Sequence, residues 1–555
     1  MWFDGVLRQL GIVGAAIGLA CAIPAVAQVN DSTSAPVIDR DRADRLEPRL
    51  IAPPAAASAP QSDVSIPPAT EPAAAISLAR VRYKGASLSS ALLDKAVAPL
   101  IGRPLTRDTL QAVAAAVGAA YARSDVAFYS VSIPAQVPTG GQLVVQLVEG
   151  RVVNYRLGGI SPSMPTRLIE KHMRRLMRET PLRKSVLERS LSLLRDIPGQ
   201  TVEARVSQGG KPGDLVLDLI VKRKQLQIGV LIDNSGVSNV VTGVQAQLSV
   251  TVNGLLREGD STRIAGYLPF YPDRYQFYSL NHSTPIGSNG MTLSAHAAHV
   301  ESRQSGRGIE GEATLAGVAL NYPLVRSNRT TLSVSASLDG IDSSNYYLDV
   351  RFGDFRSRAV RLGASWSHTG DKSGQAVSAV VSQGVNALGA RPFIGFSETD
   401  FTKVNAQAVA VRSLSKTVSL KLSAKAQYSA DKLPVTERFS LGGRGAGMAF
   451  PVGTLTAEQA LAGGAELTWS LRGKSPLLKN SALFAYADGA TAHAVARPAY
   501  RLRAQDYSLA SVGAGVRVGL GRQWRASAEV ALPVKRPDRD YSRKARFFFG
   551  LSRAF

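Results

Sequence analysis

Val418-Ser419-Leu420-Lys421-Leu422-Ser423-Ala424-Lys425-Ala426-Gln427-Tyr428 decides the fold. Apolar residues fill every even position and polar or charged residues every odd one, the period of a strand whose two faces meet different surroundings. The alternation recurs in Val244/Ala246/Leu248/Val250/Val252, Leu332/Val334/Ala336/Leu338, Val512/Ala514/Val516/Val518/Leu520 and Trp524/Ala526/Ala528/Val530, each set interleaved with Gln, Ser, Thr, Gly or charged residues. A soluble sandwich alternates as well, so length decides. Runs of about ten to twelve residues are about twice the usual soluble strand and match the ~9–11 residues that a tilted strand needs to cross hydrocarbon. About sixteen such runs fit from Leu226 to the final Phe555. Closing them into a cylinder satisfies every backbone group in lipid, which an open sheet cannot do. The expected C-terminal fold is therefore an all-β transmembrane barrel of about 16 antiparallel strands.

Composition agrees and excludes other classes. The 555 residues carry a net charge of +23, one cysteine and six scattered histidines, with 45% hydrophobic residues. One cysteine rules out a disulfide scaffold and a cysteine-based zinc site. Past the N-terminus no apolar run reaches the ~20 residues of a spanning helix. Leu10–Ile23 is apolar, and Ala25-Val26-Ala27 reads as a small-x-small cleavage site, so residues 1–27 are expected to be a signal peptide. A lipoprotein reading through Cys21 is weaker, because Gly18 stands where an aliphatic residue is usual. Residues 28–75 are Pro- and Ala-rich. Within them, residues 38–47 alternate charge at helical spacing and read either as a charged flexible leader or as a short helix able to sit in a polar lumen.

Two small units fill the interval before the barrel. Strand, helix, helix, strand, strand is predicted over 76–150, with helices at Ser90–Leu100 and at Thr106–Arg123, the latter capped by Thr106. The same order returns over 151–224, with helices at Ser163–Met177 and Arg183–Leu194.

This layout resembles the two-partner-secretion transporters, the haemolysin and haemagglutinin secretion/activation proteins of the wider outer-membrane assembly superfamily, whose small units are POTRA domains. Asp233-Asn234-Ser235-Gly236, followed by Thr242-Gly243, resembles the opening of the family's barrel. Residues 430–458, containing Gly442-Gly443-Arg444 and Gly447-Met448-Ala449-Phe450, resemble the loop that folds back into the pore. Tyr486-Ala487-Asp488-Gly489 resembles the wall motif whose aspartate usually pairs with a loop arginine, and Met448 stands where that arginine is usual. Asp488 then either pairs with Arg444 or is simply hydrated. Phe549, Leu551 and Phe555 resemble a C-terminal assembly signal.

The resemblance implies outer-membrane location with the POTRA units in the periplasm and contacts with lipid, lipopolysaccharide and the barrel assembly machinery. It also implies export of a large secreted client, an adhesin, haemolysin or contact toxin, captured unfolded by strand addition. The alternatives are an assembly factor of the same superfamily, or a passive porin, which would have no need of 76–222. Lys403, Lys421, Lys425, Arg472, Arg517 and Arg525 fall on the face opposite the apolar one and either confer anion selectivity or merely cover a wet wall. Dispersed positive charge with no recognition fold speaks against nucleic acid. No nucleophile elbow or phosphate loop occurs, and His296 and His299, three apart on a strand, point to opposite faces. Neither an enzyme nor a cofactor is expected.

Overall fold

The computed structural model describes residues 64–65, 76–137, 139–159, 161, 164–236, 243–270, 272–304, 308–471, 475, 481–521 and 523–554. The expected signal peptide with Cys21, the charged segment 38–47, Thr242, Arg472 and Phe555 lie outside them. The chain falls into two compact units divided between Lys224 and Gln225.

In the first unit, two repeats follow one another. The first contains β1 (Val64–Ser65), β2 (Arg80–Lys84), α1 (Ser90–Val97), α2 (Arg107–Arg123), β3 (Tyr129–Ser132) and β4 (Gln142–Glu149), with sheet order β1-β3-β4-β2. Helix α2 starts where expected: the Thr106 hydroxyl accepts the Thr109 N–H at 3.3 Å. Its stripe of Val113, Val117 and Tyr121 packs on Leu143, Val145 and Leu147 of the sheet. The second repeat contains β5 (Arg151–Gly158), α3 (Arg167–Met177), α4 (Lys184–Arg195), β6 (Gln200–Gln208) and β7 (Asp214–Arg223), ordered β5-β7-β6. Gly150 joins the repeats at a point where a Cβ would lie 2.8 Å from both Phe128 Cβ and Leu215 Cδ1, so glycine permits the tight junction.

His172 on α3 is buried in the second core, and burial, with Arg175 and Arg189 nearby, pushes its pKa down to about 4. The native state therefore holds a neutral ring while the unfolded chain takes up a proton below its ordinary pKa of about 6.5. Stability contributed above that value is lost as pH falls toward the folded pKa, amounting to about 2 kcal/mol between pH 7 and pH 5. Hydrogen exchange of α3 and α4 in the detergent-solubilised protein is expected to rise over that interval after correction for intrinsic rates. A His172→Leu variant is expected to lose this dependence.

The second unit is a closed barrel of sixteen strands. In chain order these are β8 (Leu226–Asp233), β9 (Gln245–Asn253), β10 (Ser261–Pro269), β11 (Tyr275–Ile286), β12 (Met291–Arg303), β13 (Ile309–Arg326), β14 (Thr330–Tyr347), β15 (Val350–Thr369), β16 (Ser373–Gly384), β17 (Thr402–Ser413) and β18 (Val418–Tyr428). After a loop holding the short strands β19 (Phe439–Leu441) and β20 (Leu455–Ala457) come β21 (Gln459–Ser470), β22 (Ala482–Ala494), β23 (Gln505–Leu520), β24 (Trp524–Lys535) and β25 (Arg546–Ala554). Strand β25 closes on β8 with Gly550 opposite Asp233 and Ala554 opposite Gly229.

Burial is inverted relative to a soluble core. Leu248, Leu338, Leu422, Leu467 and Leu483 are exposed, whereas Ser333, Asp339, Ser382, Gln427 and Ser511 are buried. Apolar residues outward and polar residues inward is the arrangement of a barrel solvated by lipid. Strands β13 to β15 reach 18 to 20 residues, longer than expected from the alternating runs. Their additional length is polar: Ser343, Ser344, Asn345, Asp354, Arg356 and Arg358 occupy the end next to the Leu348-Asp349 turn.

Candidate functional site

The chain between β18 and β21 turns back into the barrel as a hairpin. Its limbs β19 and β20 pair antiparallel, Phe439 opposite Ala457 and Leu441 opposite Leu455. At the tip, Gly442 and Gly447 have φ of 100° and 101°, open to glycine and strained for other residues. A Cβ on Gly442 would lie 1.9 Å from Pro451 O, and one on Gly447 would lie 2.0 Å from Leu509 Cδ1. The Gly443 N–H donates to Phe450 O at 2.9 Å, and the Phe450 N–H to Gly447 O at 2.9 Å. Met448 and Phe450 are buried with Leu441, Leu455 and the wall residues Leu509 and Phe548.

The expected Arg444–Asp488 pair is absent, and Asp488 is not left to water. On β22, its carboxylate accepts the N–H groups of Gly445 at 2.9 Å, Gly447 at 3.2 Å and Met448 at 3.1 Å, together with the Ser511 hydroxyl from β23. The glycine-rich turn aims successive N–H groups at one point, forming a nest that holds an anion without a guanidinium. This is why Met448 can occupy an apolar pocket. Arg444 instead reaches β24, where it donates to Glu529 at 2.9 and 3.0 Å, and it lies 3.6 Å from Glu466 of β21. Glu466 in turn forms a two-bond pair with Arg517 at 2.7 and 2.8 Å, and Arg517 stacks on Phe484. Tyr486 lies parallel to Phe484 in the space left by Gly513, where a Cβ would come within 2.4 Å of the tyrosine ring. Gly489 lets β22 and β23 approach, since a Cβ there would be 2.7 Å from Leu509 O.

Two further carboxylates, not singled out in the sequence, anchor the base of the loop. Glu437 is 1% exposed and meets Arg361 of β15 at 2.8 Å and Lys403 of β17 at 2.7 Å, while Arg361 also binds Asp339 at 2.7 Å. Glu458 is fully buried between Arg438 at 2.8 Å and Arg497 at 2.5 Å, and both guanidinium groups lie against Phe396. The sequence carried one signal: Glu437 and Glu458 are the only carboxylates between Lys432 and Ala465, one at each end of the hairpin. Apart from Arg438 of the loop itself, the cationic partners named here, Arg361, Lys403 and Arg497, come from remote segments, which no local pattern reveals.

Beside the loop the lumen holds a cavity of about 650 Å³, lined by Lys421 and Lys425 on β18 and by Asp233, Ser527 and Glu529 across from them. Of the other expected lumen cations, Lys403 is consumed by Glu437, Arg517 by Glu466, and Arg525 shares the face of Ser527 and Glu529. The barrel-opening motif has a structural use. Asp233 accepts from Ser235 N at 2.8 Å, from the Ser235 hydroxyl and from Gln245. Asn234 donates to Phe547 O at 2.9 Å and accepts Phe549 N–H at 2.8 Å, extending the β25–β8 seam. Gly236 follows with φ of 63°. Phe549 is exposed, and Leu551 shares its outward face on β25, whereas Phe548, just before Phe549, is buried against the loop. Among the described residues there is no cluster of potential metal ligands; His296 pairs with Asp339 and His299 with Glu301, on opposite faces as expected.

Comparison with known proteins adds the lineage. The chain is 24% identical over 415 residues to the outer membrane transporter CdiB of Escherichia coli O6:K15:H31 (strain 536 / UPEC), spanning 71% of this chain and 69% of the relative. Its fold is similar to the solved structure of CdiB from Escherichia coli, with a TM-score of 0.73 and 21% identity over 94% of this chain and 96% of that one. It is also similar to CdiB from Acinetobacter baumannii, with a TM-score of 0.66 and 14% identity over 95% and 99%. The family model of the haemolysin secretion/activation proteins ShlB, FhaC and HecB matches residues 213–518, more than half of the sequence, and the chain belongs to that family of outer-membrane two-partner-secretion transporters, which are not enzymes.

Proposed function

We propose that the protein exports one large secreted partner, taken up unfolded by the two POTRA-like repeats and passed through the barrel. The observation that carries this reading is a closed barrel with a polar interior and a loop held inside it, preceded by two repeats with accessible sheet edges. In the first repeat, Val64 and Ser65 already lie parallel to β3, opposite Val131 and Ser132, so that edge accepts an extended strand. Strand addition of this kind binds through main-chain hydrogen bonds and demands little of the partner's sequence. With no phosphate-binding loop in the sequence, folding of the partner outside would supply the direction. An adhesin, haemolysin or contact toxin fits. Phe549, Leu551 and Phe555 would present the barrel to the assembly machinery, and surface cations would meet lipopolysaccharide.

The reading frame next to this chain's is expected to encode a large secreted protein, and co-expression of the two is expected to place that protein in the medium. Deleting residues 76–222 is expected to reduce export at least about tenfold while leaving a conducting pore in planar bilayers. Undiminished export by the deletion variant would show that the repeats do not dock the partner.

A further inference from the structure

We propose, on the export reading above, that the exported chain travels beside a loop that stays in place, along the wall built by β17 and β18. The loop is held at three separated points by buried carboxylates: Asp488 takes its tip, Glu437 one limb and Glu458 the other. These fixings draw on β15, β17, β22 and the segment after β22, so expulsion of the loop would strand charges at every one of them together. Among the described residues a cavity of about 650 Å³ lies next to the loop, the size of a small-molecule pocket and far below the volume of a folded domain.

The chemistry of that wall fits a main chain. Asn405 and Gln407 on β17, and Lys421, Ser423 and Lys425 on β18, all line the cavity. Alternation places them on one face at two-residue spacing, and Gln407 stands opposite Lys425 in the ladder. Amide, hydroxyl and ammonium groups at that repeat can serve the carbonyl and N–H groups of an extended polypeptide whatever its side chains. Gln407 Oε1 has no hydrogen-bond partner among the described residues, an acceptor left unused on this wall. Across the cavity, Asp233 opposes the lysines, while Glu529 is paired with Arg444.

Two measurements on the full chain test this. In planar bilayers, Gln407→Cys and Lys421→Cys, treated with the anionic thiol reagent MTSES, are expected to lose at least half of the conductance. Ser365→Cys, on the inner face of β15 and not among the cavity residues, is expected to lose none. In cells exporting the partner identified by co-expression, p-benzoylphenylalanine at 407 or 421 is expected to form adducts with that partner, and at 365 not. Heat-modifiable migration of each variant on gels confirms a folded barrel. Adducts at 365 alone, or MTSES block at 365 without block at 407 and 421, would overturn the path and leave export standing. Failure of the unsubstituted chain to release any partner would overturn the export reading on which the path rests.

Discussion

Asp488→Ala is expected to free the tip of the in-folded loop and to give the barrel a larger, noisier conductance. The substitution removes the acceptor of three loop N–H groups and of the Ser511 hydroxyl at one stroke. Hydrogen bonds to a charged group are worth about 1.5–3 kcal/mol each, and the donors left behind lie in a covered site. Even with partial recovery by water, a loss of about 3 kcal/mol lowers the docked-to-free ratio of the tip roughly a hundredfold. The check is single-channel recording together with protease cleavage between Gly443 and Val452, both of which should rise. Arg444→Ala is the informative contrast. Its side chain is more than half exposed, and it covers Glu529; on its removal water can take its place. Glu529 itself is buried, so its loss of a partner falls on the β24 wall, while the N–H nest around Asp488 stays intact; the loop tip should remain docked and conductance should change less than in Asp488→Ala. The opposite ranking, a severe Arg444 effect and a silent Asp488, would mean that a cation holds the loop after all.

The same comparison shows how far local sequence reaches. Alternation in residues 418–428 sufficed for strand and face, and the length of such runs for membrane solvent, because periodicity is written residue by residue. The helices of the two repeats were legible to within a few residues for the same reason, and Thr106 capped α2 as its chemistry demands. Asp488 was legible as a wall carboxylate through the resemblance of its motif, but neither its burial nor its partner was. Side-chain pairing invites a search for a cation, whereas the actual ligand is main chain, set by φ values that glycine permits and sequence does not print. Arg361, Lys403 and Arg497 were less legible still. Arg361 and Lys403 are single basic residues on inward strand faces and Arg497 lies in the segment after β22; what distinguishes each is a contact made across 34 to 76 residues of chain.

Glu437→Ala is expected to be the most damaging single change in the barrel. It would take from Arg361 and Lys403, both under a tenth exposed, the carboxylate they share, while Asp339 stays on Arg361. Breaking a buried pair by deleting one partner costs about 3–5 kcal/mol, chiefly because the surviving charge stays out of water. Here Glu437 faces both Arg361 and Lys403, so the deletion adds one net positive charge beside the loop. The expected result is a heat-modifiable barrel that unfolds on gels at a distinctly lower temperature, with increased leak of the pore. Charge balance also predicts the rescue. Glu437→Gln combined with Lys403→Met removes one charge of each sign and keeps an amide facing Arg361. It should recover part of the loss, with a coupling of about 0.5–3 kcal/mol between the two positions. Additive damage in the double variant would show that Glu437 acts by filling space, because a side chain that serves only as packing gains nothing when its cation is removed as well.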